Sequence, residues 1–397
     1  MAVRGRAGGP GFEPGAGVAM SGSVRAAVMK APGVLTVEEF PLPEVEPGAV
    51  LLEMSMSGIC GTDKHTFRGE TRQYAGTPHE RQIEYPLICG HENVGRVAAT
   101  GGEVLDSEGR PLRAGDRVVP AANVSCGRCW YCQNGLPYYM CERMEDYGNS
   151  LNCSRAPYLF GGWSEYMYLL PGTKVFRVPD DLPDHVAVLT EPMAVTHGFD
   201  RARRLNDTFA ETVLVYGVGP LGMCHLIKAR LMGAGKLIAI DRFVNRLRHA
   251  REFGADVVLD ASELAADELL ARVREQTAGR GADIALDCSG VPETFVTSLQ
   301  MVRVGGAVVE AGAFVDMGPV EVNPNAAICS RNVAVLGIGG ETAESYLPAM
   351  ELLARNLERL PLESFVSHRL PLEAAEQAVE LAQRDEAMKV VLTPGSA

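Results

Sequence analysis

The chain holds 397 residues, with 37 Lys and Arg against 50 Asp and Glu, a formal net charge of −13. That length suggests two domains or three, and 46% hydrophobic with 22% charged residues is the composition of a packed protein, not of a disordered chain. The acidic total argues against a nucleic-acid binder, which needs a basic face, and no run reaches the roughly 18 to 20 apolar residues of a membrane span.

Residues 1–22 carry Arg4 and Arg6 but no apolar stretch behind them, so they do not read as a signal peptide. A disordered leader, an expression remnant or a start-site artefact is expected, since Met20 could also begin the chain. A cytoplasmic location follows by default. From Val24 to about Phe40, and from Val50 to Met56, short apolar runs read as strands. Gly and Pro turns continue to about Val178, which predicts a compact β-rich domain. Asp106-Ser107-Glu108-Gly109 reads as a hairpin tip.

The texture changes near Ala187. Residues 186–203 have helical spacing. Strands are then predicted at 213–216, 236–240, 256–259, 283–287, 306–310 and 333–337. Helices are predicted between them at 220–233, 243–253, 262–276 and 292–302. Apolar strands alternating with helices predict a parallel sheet covered on both faces. Beyond Gly340, helical windows at 343–355 and 372–383 and strands at 365–370 and 389–392 need not belong to that sheet.

Gly217-Val218-Gly219-Pro220-Leu221-Gly222 fits G-x-G-x-x-G between a strand and a helix. Gly217 permits the tight turn, Gly219 lets backbone approach a pyrophosphate, and Gly222 lets helix and strand pack. The helix start offers free N–H groups to phosphates. Asp241, closing the next strand, would accept from ribose hydroxyls and repel a 2′-phosphate, which favours NAD over NADP. Arg242 and Arg246 lie close by and would soften that preference.

Ten cysteines without a secretion signal are not a disulfide framework. Cys126, Cys129, Cys132 and Cys141 have metal-binding spacing, and four thiolates suit a closed, structural zinc site. A second set is dispersed: Cys60 in Gly58-Ile59-Cys60-Gly61-Thr62-Asp63-Lys64-His65, His91 and Glu92 after Gly90, and Glu191 before Pro192. Cys, His and carboxylate with one open place is a catalytic zinc pattern, but spacing alone does not bring these residues together.

These motifs, with Gly115-Asp116-Arg117-Val118 and the Gly161 to Tyr166 block, closely resemble the zinc-dependent medium-chain alcohol and polyol dehydrogenases, the sorbitol and threonine dehydrogenase branch in particular. The resemblance runs from about Val24 to Thr393. It implies an α/β protein: a chaperonin-10-like (GroES-like) catalytic domain at 23–190 plus 341–397, interrupted by a doubly wound Rossmann domain at 191–340. It implies two zinc ions per chain, with Cys60, His91, Glu92 and Glu191 as ligands or near-ligands of the catalytic one. Either Glu92 or Glu191 would touch that metal directly. Thr62 matches the hydroxyl beside the substrate oxygen, and His65 the residue that passes its proton to solvent. The implied reaction is hydride transfer between a secondary alcohol or its ketone and NAD, in a homodimer or homotetramer joined near 333–340.

Three departures stand out. Eight residues precede Cys141 where the family usually has seven, and Cys153 is a weak rival ligand. The 61–90 segment is long, carries Arg68, Arg72, His79, Arg81 and Tyr85, and is expected to border the substrate cleft. Residues 101–114 are also lengthened. Glu191 in place of Cys points to polyols, sugars or cyclitols, the arginines to an anionic hydroxy compound as second choice. A zinc-free reductase on the same fold is the further alternative. Asp63 reads as turn-forming, His197 as a core or cleft histidine, and Cys288 and Cys329 as packed thiols. Residues 193–232 read as Met-rich core, and Arg201, Arg203 and Arg204 as a solvated helix end.

Overall fold

The computed structural model describes residues 22–205 and 211–394; the leader expected at 1–22 lies outside them except for Gly22. The β-rich part opens with an antiparallel pair, Ser23–Ala31 with Val34–Pro41, flanked by Leu87–Ile88. Its main sheet has seven strands. Along one path they run Val175–Arg177, Arg117–Pro120, Asn93–Thr100, Val50–Gly58, Lys389–Leu392 and Val366–Leu370, with Tyr166–Leu169 also paired to Val50–Gly58. Val50–Gly58 is buried almost throughout because neighbours pack on both faces. Lys389–Leu392 pairs antiparallel with its end, Val391 opposite Gly58.

The second sheet has six parallel strands in the order Val257–Asp260, Lys236–Asp241, Thr212–Tyr216, Ala282–Asp287, Val302–Glu310, Ala334–Gly337. Thr212–Tyr216 shows why such strands read as continuous apolar runs. Val213 and Val215 enter one core cluster and Leu214 the cluster on the opposite face. Helices Pro220–Leu231, Val244–Glu252, Ala266–Gln276 and Pro292–Met301 connect the strands. The strand order reverses between Thr212–Tyr216 and Ala282–Asp287, and a crevice opens there at the carboxyl ends of the strands.

Several expectations need correction. Residues 186–203 do not form one helix but lie in three short ones, Asp184–Ala187, Thr190–Ala194 and His197–Arg204. Pro192 brings no amide to the ladder, and the Thr196 hydroxyl donates to the Met193 carbonyl at 2.6 Å. The window at 372–383 begins with a 3-10 turn, so its α-helix is only Ala375–Leu381. Cys329 is exposed at the end of a π-helical turn, Asn325–Cys329, and Met232 is exposed past its helix end. Arg203 is not merely solvated: its Nε donates to the buried Glu211 carboxylate at 3.1 Å. The hairpin tip forms, with Leu105 bridged to Pro111. Asp106 there is buried and takes the amides of Glu108 and Arg110, both at 2.9 Å.

Candidate active site

Cys60 sits where strand Val50–Gly58 turns into helix Gly61–Phe67. The Cys60 amide donates to Asp63 Oδ2 at 2.7 Å, which fixes the turn, as expected for Asp63. His91 and Glu92 follow Gly90, whose φ is +96°. A Cβ there would lie 2.4 Å from Ser57 Oγ and 2.5 Å from the Trp163 ring, so only glycine lets this backbone approach. Glu191 comes from helix Thr190–Ala194. Cys60, His91, Glu92 and Glu191 all line one cleft of about 760 Å³, together with Thr62, His65 and the glycine-rich turn.

The electrostatics of this wall call for a cation. Burial works against a charged His91, but the Cys60 thiol and the Asp63 and Glu191 carboxylates outweigh it and hold the imidazole well above its usual range. Burial, with Glu341 beside it, pushes the Glu191 carboxyl well up. A thiol and carboxylates crowding one buried imidazole are donors that a divalent ion would satisfy. The four ligand atoms are not drawn into the tight group that the cysteine cluster forms.

Glu92 stands apart from the others in its partner. Its Oε2 forms an ion pair with Nζ of Lys389, and both side chains are buried. The same Nζ donates to the Ile59 carbonyl at 3.1 Å. Lys389 therefore ties the residue before Cys60 to the residue after His91. The sequence reading missed it. A lysine opening the apolar strand Lys389–Leu392 was the available signal, since a buried lysine needs an acidic partner.

Thr62 Oγ1 lies 3.9 Å from Cys60 Sγ. His65 Nδ1 is 2.6 Å from Glu70 Oε2, and Arg68 reaches both, at 2.7 Å from Glu70 and 3.0 Å from His65. Burial lowers the His65 pKa; the Glu70 hydrogen bond opposes this, and Arg68 adds to it.

The 61–90 segment borders the cleft only in part. Lys64, Arg68 and Tyr74 line it, whereas Arg72, His79, Arg81 and Tyr85 do not. Arg72 is engaged by Glu80 and Asp316, and Arg81 by the Met144 carbonyl and Asp146. His79 packs edge-on against Tyr74.

Cys126, Cys129, Cys132 and Cys141 form the only group of three or more metal-capable ligand atoms found among the described residues, all within 4.8 Å of one another. Cys129 Sγ lies 3.4 Å from Cys132 Sγ and 3.9 Å from Cys141 Sγ. The amides of Cys126 and Arg143 donate to Cys141 Sγ. Amide donation, first from Cys132, brings the Cys129 thiol down to about 6, while burial pushes Cys141 up to about 12. A 3-10 turn, Tyr138–Met140, leads directly into Cys141. Cys153 is buried outside the group, its amide bonded to the Pro86 carbonyl.

The glycine-rich turn is built as its pattern requires. Gly217 has φ +83°. Helix Pro220–Leu231 starts on Gly219 with proline in its first turn. Pro220 and Leu221 line the cleft with Gly217 and Gly219. Asp241 Oδ2 accepts from the Val218 amide at 2.8 Å and Oδ1 from the Phe243 amide at 3.0 Å, so the carboxylate is held at the crevice. Arg242 and Arg246 both lie over the Phe243 ring, at 4.8 and 4.5 Å. Cys288 also stands in the cleft wall, its Sγ 3.7 Å from His225 Nδ1. His197 is half-buried, with Nε2 3.1 Å from the Gly340 carbonyl.

The alcohol dehydrogenase GroES-like domain model matches residues 46–180, and the zinc-binding dehydrogenase model matches residues 220–355. A probable alcohol dehydrogenase of Mycobacterium tuberculosis is 33% identical over 387 residues, 94% of this chain and 98% of that one. The chain belongs to the zinc-dependent medium-chain alcohol dehydrogenases. The sheep sorbitol dehydrogenase is 28% identical over 370 residues, 92% of this chain and 95% of its own. Among solved structures, an alcohol dehydrogenase from Thermotoga maritima superposes with a TM-score of 0.84 at 32% identity, covering 94% of this chain and all of that one. This dehydrogenase is thus an oxidoreductase with a GroES-like part and a Rossmann part, and the cleft lies between them.

Proposed function

We propose that this dehydrogenase oxidises a secondary alcohol of the polyol, sugar or cyclitol type, and reduces the matching ketone, with NAD as hydride carrier. The observation that carries this is one cleft holding Cys60, His91 and Glu191, the Thr62 and His65 side chains, and the glycine-rich turn. Zinc, when bound there, supplies Lewis acidity at the alcohol oxygen, and NAD accepts the hydride. Cys60, His91 and Glu191 would hold the metal. Glu92, engaged by Lys389, is then a near-ligand. Thr62 Oγ1 would hold the substrate proton and His65 would pass it outward. The cysteine cluster would hold a second, structural zinc that braces the 126–141 loop.

Arg72 and Arg81 lie outside the cleft, and Arg68, which lines it, is engaged by Glu70 and Gln383, which favours a neutral substrate over an anionic one. Asp241 favours NAD, and Arg242 and Arg246, which line the same cleft beside it, soften that preference. No described helix is long and apolar enough to cross a membrane, which accords with a cytoplasmic enzyme. The edge strand Ala334–Gly337, with Val335 exposed, suits self-association as a dimer or tetramer.

Zinc content tests the reading. Wild type should carry two ions per chain and oxidise a polyol with NAD⁺; Cys60→Ala should carry one and lose activity by at least about a thousand-fold. One ion in both proteins would favour the zinc-free reductase.

The pH profile tests His65. As proton acceptor it must be neutral, and its lowered pKa keeps it so to below its ordinary 6.5. The acid limb of kcat/KM should therefore fall below pH 6.5. Glu70 favours the imidazolium, so Glu70→Gln should move that limb to still lower pH. A limb that moves upward would remove His65 from the relay.

A further inference from the structure

Past Glu191, the wall of the cleft continues to Glu341, which follows Gly339-Gly340 and precedes helix Ala343–Ala354. Glu341 is 3% exposed, yet it lines the cleft. Three donors converge on its Oε1: Asn123 Nδ2 at 2.9 Å, the Tyr346 hydroxyl at 3.2 Å, and the Tyr138 hydroxyl. Its Oε2 has no hydrogen-bond partner among the described residues and is not among their sealed, unsatisfied atoms. A buried carboxylate clamped by one oxygen, with the other left toward a cavity, is built to accept from a ligand. The charge of Glu341 is felt at Glu191 and at Asp146, a second buried acid of the same wall. Such a wall suits a ligand rich in hydroxyl donors.

We propose that Glu341 is a specificity-determining residue, and that its Oε2 accepts a hydrogen bond from a second hydroxyl of the substrate while the first is oxidised. The inference rests on the polyol-dehydrogenase reading above and names the residue that would select polyhydroxy substrates. A hydrogen bond to a charged acceptor separates substrates that have the donor from those that lack it by about ten-fold or more.

The test compares butane-2,3-diol and xylitol with butan-2-ol, as kcat/KM with NAD⁺, on wild type and Glu341→Gln. Glutamine keeps an oxygen for the three clamping donors and removes the charge. Wild type should prefer at least one of the polyhydroxy alcohols over butan-2-ol by at least about ten-fold, and Glu341→Gln should lose about ten-fold more on that alcohol than on butan-2-ol, mainly in KM. A wild type without preference, or a ratio unmoved in the variant, overturns the assignment while leaving the dehydrogenase reading intact. A zinc-loaded wild type that oxidises none of the three overturns that reading and the assignment with it. If Glu341→Gln does not fold, Glu341→Asp, which keeps the charge and withdraws the oxygen, takes its place in the same comparison.

Discussion

Lys389→Met should destabilise the protein by about 3 to 5 kcal/mol, because it leaves Glu92 charged and buried without its partner. Lys389 and Glu92 are 0% and 1% exposed, so water cannot replace the lost ammonium. Against a total stability of about 5 to 15 kcal/mol, this is a large fraction. The double variant Glu92→Gln/Lys389→Met removes both charges and should recover most of the loss. Denaturant unfolding of the two single variants and the double one checks this. A Lys389→Met protein within about 1 kcal/mol of wild type would show that the pair does not hold the lobe together. Activity should fall as well. Lys389 reaches the neighbours of both Cys60 and His91, and loosening such supports costs about 10 to 100-fold in metal affinity or turnover.

Gly222→Ala should damage the other half of the cleft. A Cβ at position 222 would lie 1.8 Å from the Gly217 carbonyl oxygen. That oxygen is backbone, held by the turn that the coenzyme would straddle, so the helix must move and not a side chain. Overpacking of this kind costs about 1 to 3 kcal/mol or more, and the displaced turn should weaken NADH binding by at least about a hundred-fold. Fluorescence titration with NADH measures it. Zinc content should stay at the wild-type value, because Cys60, His91 and the cluster of Cys126, Cys129, Cys132 and Cys141 lie in the other part. Unchanged NADH affinity would mean that the coenzyme does not use this turn.

The parallel sheet was legible almost strand by strand, since its inner strands are buried on both faces and read as continuous apolar runs. The glycine turn was legible because glycine is required there for steric reasons that any sequence displays. The cysteine cluster was legible because its four ligands come from one loop. What escaped was long-range. Nothing local to Glu92 says that its partner is Lys389, and nothing local to Glu341 says that Asn123, Tyr138 and Tyr346 meet it. Arg68 does border the cleft, but Arg72 and Arg81 were misread for the same reason: Asp316, which neutralises Arg72, lies far along the chain. The break of the 186–203 helix was carried by Pro192 and a hydroxyl that competes for a carbonyl, a weak signal beside strong apolar spacing.

The strand Lys389–Leu392 has a consequence for the order in which the molecule is made. It lies between Val50–Gly58 and Val366–Leu370, and Lys389 bonds to a carbonyl 330 residues earlier. A nascent chain that has just completed the Rossmann sheet still has a gap in its first sheet and an unpaired acid beside His91. The Rossmann strands, contiguous from Thr212 to Gly337, can close on themselves meanwhile. The first part cannot, and contacts of such separation form slowly. An arrested or truncated chain ending before residue 389 should therefore present a finished nucleotide fold beside an open, sticky edge, the form that chaperones would have to shield.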